Sequence, residues 1–247
     1  MDEAQKIQAL NQLIRESDNV VFFGGAGVST ESGIPDFRSV DGLYHQKYDW
    51  PPETILSHTF YEEHPEEFFR FYYEKILLPG RKAQPNSAHR KLAQWEKEGK
   101  LRAVITQNID GLHQAAGSRT VYELHGSVLR NYCERCHTFY DVDFMMKQCK
   151  EGRIPVCPSC GGRVKPDVVL YEEGLDSDTI DRAVEAIVRA DVLIIGGTSL
   201  VVYPAAGLID YYRGNKLVLV NKSATSRDAE ADLVISAPIG EVFGQLD

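Results

Sequence analysis

Val20-Val21-Phe22-Phe23 is an apolar run that stops at Gly24-Gly25-Ala26-Gly27. No polar residue alternates with these four side chains, so both faces of the strand they form need cover. That is the mark of a strand inside a parallel sheet. A buried strand that breaks into a glycine-rich corner belongs to folds that bind nucleotides beyond the carboxyl ends of their strands. Further buried-strand runs occur at 102–106, 121–124, 191–195, 216–220 and 232–235. Helical patterns at 86–98, 176–190 and 204–213 separate several of them, and residues 3–16 place Ile7, Leu10, Leu13 and Ile14 on one helical face. Asn86 and Ser177 read as N-caps, and Pro204 suits a first helical turn. Strands alternating with helices imply right-handed crossovers and a parallel sheet, an α/β fold.

Two stretches break this rhythm. Residues 36–80 are rich in aromatics and proline, with a helix predicted at 65–78, and residues 132–165 hold all five cysteines. Both read as insertions that build a smaller module beside the sheet. The predicted architecture is a large parallel-sheet domain (1–35, 81–131 and 166–247) with a smaller module (36–80 and 132–165) beside it. A chain of 247 residues is long enough for one large core and such a satellite.

The cysteines are specific in their spacing. Cys133-x2-Cys136 is followed, after twenty residues, by Cys157-x2-Cys160. Each pair offers two thiolates to one edge of a metal, and two pairs complete a tetrahedron, which predicts one zinc ion. The competing interpretation is a redox CxxC or chance spacing. Four protein ligands leave no open position for water or substrate, so this zinc serves structure. Cys149 is left over, on a helix predicted at 141–150, and reads as packing.

Composition excludes several functions. Lys and Arg number 27 against 36 Asp and Glu, a net charge of −9, which is ill suited to wrapping nucleic acid. No apolar run approaches the ~20 residues of a bilayer span. The amphipathic start has neither the cationic opening nor the apolar centre of a signal peptide, which predicts a cytoplasmic protein. In a reducing compartment, cysteines serve as ligands or free thiols rather than disulfides.

Polar segments follow the predicted strands where a doubly wound sheet holds ligands. Gly25, Ala26 and Gly27 follow the first; their backbone can approach a pyrophosphate, aided by the dipole of a helix expected to follow. Thr30 stands where the usual dinucleotide fingerprint has its third glycine, and no acidic residue offers the usual ribose contact. This weakens a hydride-transferring dehydrogenase. Thr106-Gln107-Asn108-Ile109-Asp110-Gly111-Leu112-His113 follows 102–106, Gly196-Gly197-Thr198-Ser199-Leu200 follows 191–195, and Asn221 follows 216–220. Each alone could be capping; three together with the glycine corner favour a nucleotide site. His125 follows 121–124 at the same end of the sheet. There a structural histidine and a general base carry equal weight.

With these segments in place the chain resembles the sirtuin family. The matching residues are Gly25-Ala26-Gly27-Val28-Ser29, Gly33-Ile34-Pro35-Asp36-Phe37-Arg38, 106–113, His125-Gly126, the four spaced cysteines, Gly197-Thr198-Ser199-Leu200 and Val220-Asn221. They occur in the family's order and span residues 20 to about 240, and are most similar to the bacterial and archaeal members that remove acetyl groups. The resemblance implies a Rossmann-like domain with a smaller domain made of a helical module (36–80) and a zinc ribbon (132–165), and NAD-dependent deacylation of protein lysines, with NAD consumed and nicotinamide, free lysine and O-acyl-ADP-ribose as products. It implies that Gly25, Ala26, Gly27 and Thr30 line the pyrophosphate. Asp36, Phe37 and Arg38 belong to a loop over the nicotinamide end. Gln107, Asn108, Ile109 and Asp110 line the ribose and nicotinamide pocket, with Asn108 orienting ribose and a water. Gly197, Thr198, Ser199 and Asn221 contact phosphate and adenosine ribose, and Ile239 touches adenine. His125 is then the base that draws a proton from the ribose hydroxyls.

The partner implied is an acyl-lysine protein or peptide, bound as an added strand along 165–173 with Val168, Val169 and Tyr171 in contact. Here Tyr171-Glu172-Glu173 departs from the family's usual Phe-Gly-Glu. Members that prefer succinyl or malonyl groups carry a Tyr-x-x-Arg pair; Tyr44 is followed at that spacing by Lys47, which favours acetyl. The short tails at both ends suggest a monomer. The alternatives are removal of other acyl groups, mono-ADP-ribosyl transfer from the same NAD site, and a non-enzymatic zinc-ribbon module.

Overall fold

The structure is a computed structural model, and it describes residues 1–37, 42–43 and 48–247. Arg38, Tyr44 and Lys47 therefore lie outside the described residues, as do the expectations that rest on them.

Six parallel strands form the main sheet: β1 (Val20–Gly24), β2 (Leu101–Thr106), β3 (Val121–Glu123), β7 (Val192–Gly196), β8 (Lys216–Val220) and β9 (Leu233–Ile235), in the order β3-β2-β1-β7-β8-β9. All five residues of β1 are buried. The two-residue period of a strand explains why the sequence shows no alternation. Val20 and Phe22 point into one core with Val192, Ile194, Val218 and Val220, whereas Val21 and Phe23 point into the other with Leu193, Ile195 and Leu219. The first core is closed by α1 (Glu3–Glu16), α6 (Ser87–Lys97) and α10 (Ile239–Gly244), through Leu10, Leu92, Trp95 and Phe243. The second is closed by α9 (Ser177–Arg189) and a 3-10 helix at Ala205–Tyr211. Because β1 lies between β2 and β7, the chain reverses its winding there and opens a crevice at their carboxyl ends.

A second, antiparallel sheet has the order β5-β4-β6, from β4 (Gly126–Cys133), β5 (Phe139–Tyr140) and β6 (Val164–Val168). Its core is shared with short helices, α2 (Pro52–Ile55), α3 (His58–Glu63), α4 (Pro65–Phe71) and α8 (Val142–Gln148), while α5 (Leu78–Lys82) lies outside it with no buried residue. Phe60, Phe68, Phe69 and Tyr72 pack there against Val128, Met145, Cys149 and Leu170. Burial pushes the Cys149 thiol up to about 12. It is a protonated packing group, in line with the sequence. The last helix, α7 (Leu112–Ala116), follows β2.

Four local expectations are corrected. No α-helix follows the glycine corner; two short 3-10 turns do, Ala26–Val28 and Thr30–Ser32, so no helix dipole aims there. The segment predicted as helix 204–213 winds as a 3-10 helix. Its three-residue period stacks Ala205 over Leu208 and Ala206 over Ile209, and burying all four holds the tighter turn. The N-cap of α9 is Asp176 rather than Ser177, because its carboxylate accepts from Thr179 N at 2.8 Å and Thr179 Oγ1 at 2.7 Å. The helix predicted at 65–78 runs on to Lys82 through a π-helical stretch at Tyr72–Leu77.

Candidate active site and metal centre

The floor of the crevice is made of glycine. Gly27 N donates to Gly197 O at 2.8 Å, so the corners after β1 and β7 touch backbone to backbone. A Cβ at Gly25 would lie 2.9 Å from Thr198 Cβ, and one at Gly197, whose φ is +59°, would lie 2.4 Å from Val28 N. No other residue fits that position without moving a corner. Gly197→Ala is therefore expected to cost ~1–3 kcal/mol of strain and to raise the Michaelis constant for the crevice ligand. Thermal melts and saturation curves check this.

The strand ends are laced together by side chains. Gln107 N donates to Gly24 O at 3.0 Å, and Gln107 Nε2 to Thr198 Oγ1 at 3.0 Å. Asn221 and Thr198 pair reciprocally: Thr198 N donates to Asn221 Oδ1 at 3.0 Å and Asn221 Nδ2 to Thr198 O at 2.9 Å. Ser199 is exposed beside them. Thr30 Oγ1 donates to Gly27 O at 3.0 Å, which holds the glycine corner. Ile239 opens α10, 2% exposed within the first core. Asp36 O accepts from Leu43 N at 2.9 Å, and Phe37 is half-buried at the edge of the described residues.

A buried polar chain crosses this floor. Asn108 Nδ2 donates to Ser29 Oγ at 3.1 Å, and Ser29 Oγ donates to Asp110 Oδ2 at 2.6 Å. Leu112 N donates to Asp110 Oδ1 at 2.9 Å. Burial raises the Asp110 pKa against the pull of those two donors. Ser29 is the hub of this chain and carried no role in the sequence reading. A small hydroxyl after a glycine corner reads as a cap, and only the fold brings it to residues 108 and 110. Ile109 lends its carbonyl to Val128 N at 3.0 Å and packs against the small-module core.

His125 stands between β3 and β4, half-buried. Its Nδ1 lies 2.9 Å from Gln107 O. A carbonyl only accepts, so Nδ1 carries the proton and Nε2 is left as the basic nitrogen of the neutral ring. Burial lowers the His125 pKa below its ordinary value, opposed by the Gln107 carbonyl, so the base form dominates at neutral pH. The carbonyl of His125 accepts from Val169 N at 3.0 Å. Gly126 explains the sharp departure that follows: φ is +77°, and a Cβ would sit 2.0 Å from Asp167 O. Val168 pairs with Gly126 at the end of β6, an edge strand, and Tyr171 bridges to Ser57.

The four spaced cysteines converge at the far end of β4, with all four sulfurs within 4.8 Å of one another. Cys133 Sγ and Cys160 Sγ are 3.4 Å apart, Cys136 Sγ and Cys157 Sγ 3.7 Å. Zn–S bonds of about 2.3 Å set tetrahedral edges of about 3.8 Å, so the cluster fits zinc. Tyr140 OH and Thr138 Oγ1 lie 3.0 Å from Cys157 Sγ and 3.1 Å from Cys136 Sγ, placed to donate to thiolates. A Cβ at Gly162 would come 2.9 Å from Cys133 Sγ, which accounts for that glycine. β4 alone separates His125 from Cys133, about 26 Å of extended chain at ~3.3 Å per residue.

The Sir2 family profile matches residues 25–204. The NAD-dependent protein deacetylase of Clostridium perfringens (strain 13 / Type A) is 61% identical over 244 residues, 98% of each chain. That of Staphylococcus aureus (strain N315) is 44% identical over 231 residues, 93% of each. A solved Sir2 structure with deacetylated p53 peptide and 3'-O-acetyl ADP ribose superposes with a TM-score of 0.88 at 41% identity, over 96% of each chain. A Sir2–p53 peptide–NAD+ structure gives 0.85 at 42% identity, over 97% of this chain and 96% of that one. The motifs, the crevice at the carboxyl ends of β1, β2 and β7 and these likenesses agree: the chain belongs to the Sir2 family.

Proposed function

We propose that the protein is an NAD-dependent protein deacetylase that removes acetyl groups from lysine side chains. The observation that carries this is His125, its Nδ1 hydrogen committed to Gln107 O and its Nε2 left basic, at the crevice where the glycine corners and the Asn108–Ser29–Asp110 chain meet. The relatives named for this activity support it, as does the likeness to Sir2 structures holding p53 peptides.

The crevice suits NAD. Gly25, Ala26, Gly27 and Thr30 offer a backbone surface with no side chain in the way of a pyrophosphate. Gly197, Thr198, Ser199 and Asn221 hold the next phosphate and ribose, and Ile239, sealed in the first core beside Gly196, supports this floor from below. Gln107, Asn108, Ile109 and Asp110 enclose the nicotinamide end beneath Asp36 and Phe37. When bound, NAD supplies an electrophilic ribose carbon with nicotinamide as its leaving group. The chain's own contribution is placement and proton transfer. Asn108 is held by Ser29 so that its amide is fixed, Asp110 presents a carboxylate kept in place by two donors, and His125 Nε2 takes a proton from a ribose hydroxyl.

The acetyl-lysine peptide adds along the open edge of β6, against Val168, Val169 and Tyr171, which brings it beside His125. We read the protein as a monomer divided as the sequence suggests, into a sheet domain (1–35, 81–131 and 166–247) and a small domain (36–80 and 132–165). Cysteines used as zinc ligands or as a buried thiol rather than in disulfides support a cytoplasmic setting. No helix among the described residues is long and apolar enough to cross a membrane.

The pH profile tests the base. With the His125 pKa lowered, kcat/KM rises with pH to an inflection below 6.5 and stays flat above it. An inflection at or above 7 would contradict this assignment. The activity itself is tested by nicotinamide release that depends on an acetylated peptide.

A further inference from the structure

Glu172 adopts φ +77°, one of three non-glycine residues with a left-handed φ among the described residues. Glycine takes this conformation without strain; glutamate does not. The reason for a carboxylate here lies in α3. The first turn of that helix has three backbone donors to satisfy, and the loop after β6 satisfies two of them. His58 N donates to Tyr171 O at 3.0 Å, Thr59 N donates to Glu172 Oε2 at 2.9 Å, and Phe60 N donates to Ser57 Oγ at 3.2 Å. Thr59 Oγ1 also donates to Glu172 Oε2, at 2.8 Å, and Tyr171 N donates back to Leu56 O at 3.0 Å. Glu173 closes the turn by accepting from Leu170 N at 2.9 Å and pairing with His58 Nδ1 at 2.9 Å and Lys165 Nζ at 3.1 Å. The loop that starts beside His125, where Val169 N donates to the His125 carbonyl, is thus pinned at its other end to the helical module.

We propose that Glu172 is a positioning residue for the acyl-lysine peptide. Through Thr59 it anchors the 168–171 segment to α3, so that the edge offered to the peptide keeps a fixed distance from His125. The proposal rests on the deacetylase reading above. It predicts that the anchor acts on peptide affinity and leaves chemistry and NAD binding alone.

The experiment compares Glu172→Ala, Glu172→Gly, Glu172→Gln and Thr59→Val in the full chain, in steady-state deacetylation and in amide hydrogen exchange. The Ala and Gly variants are expected to raise the peptide KM about tenfold, with kcat and the KM for NAD within about twofold. Gln, which keeps an acceptor, is expected to stay near the parent, and Thr59→Val to fall between. Gly carries φ +77° freely, so loss of affinity in that variant isolates the anchor from the backbone strain. Exchange at the amides of Val169, Tyr171 and Thr59 is expected to quicken about tenfold in the Ala and Gly variants. An unchanged peptide KM in an active Gly variant overturns the anchor and leaves the deacetylase reading standing. A parent protein with no turnover overturns the deacetylase reading, and unchanged exchange in the Gly variant then overturns the anchor on its own. If Glu172→Ala does not fold, Glu172→Gly and Thr59→Val decide by the same criteria.

Discussion

His125→Tyr abolishes useful turnover, lowering kcat by ~10²–10⁴-fold, the typical contribution of a positioned base, while the protein stays folded. A phenol with an ordinary pKa of ~10 is protonated at neutral pH and offers no basic nitrogen. His125 is half-buried at the crevice rather than enclosed, so its exchange leaves the packed interior intact. The checks are kcat at saturating NAD and acetylated peptide beside a thermal melt. Near-parental kcat would remove His125 from the mechanism. A lowered melting temperature together with lost activity would turn it into a structural residue.

Removing zinc is expected to abolish activity by a different route. The sheet β5-β4-β6 has only three strands, and two zinc-ligand cysteines, Cys133 and Cys157, are part of its buried core. Structural zinc is worth an apparent ~10–16 kcal/mol in small zinc folds, more than a three-stranded sheet can replace. Without it β4 and β6 lose register, and with them go both the start of β4 at His125 and the peptide edge. A chelator strong enough to strip zinc, or Cys157→Ser, should lower kcat/KM by at least tenfold. Trp50, which packs edge-on against Phe60 in the small module, should change its fluorescence, whereas Trp95, inside the first core, should not. Metal content by atomic spectroscopy, with zinc added back to restore activity, checks the cause. Full activity in metal-free protein would mean that the cysteines hold the module without an ion.

The large sheet was readable because its strands are buried on both faces. Unbroken apolar runs such as 20–23 and 192–195 have no other soluble home, and the strands found there begin and end within a residue or two of the runs. The helices at α6 and α9 were readable from periodicity, although a carboxylate one residue earlier took the cap from Ser177. What the sequence could not convey was how elements far apart in the chain share polar groups. Ser29 reaches Asn108 and Asp110 only after β1 and β2 pair, and Glu172 caps a helix more than a hundred residues earlier. Nor did the motif at 106–113 reveal that its last residue faces inward. His113 is buried against Phe22 and His89, where burial pushes its pKa down to about 3. It belongs to the first core's surroundings rather than to the reaction. The glycine corner was readable as a close approach, but what approaches Gly27 most closely is Gly197, a second corner of the same chain.

The most direct test is a mass balance on one acetylated peptide incubated with the protein and NAD. For each lysine unmasked, one NAD should disappear, with one nicotinamide and one O-acetyl-ADP-ribose formed and no acetate released at the outset. ADP-ribose left attached to protein, or lysine unmasked with NAD intact, would contradict it.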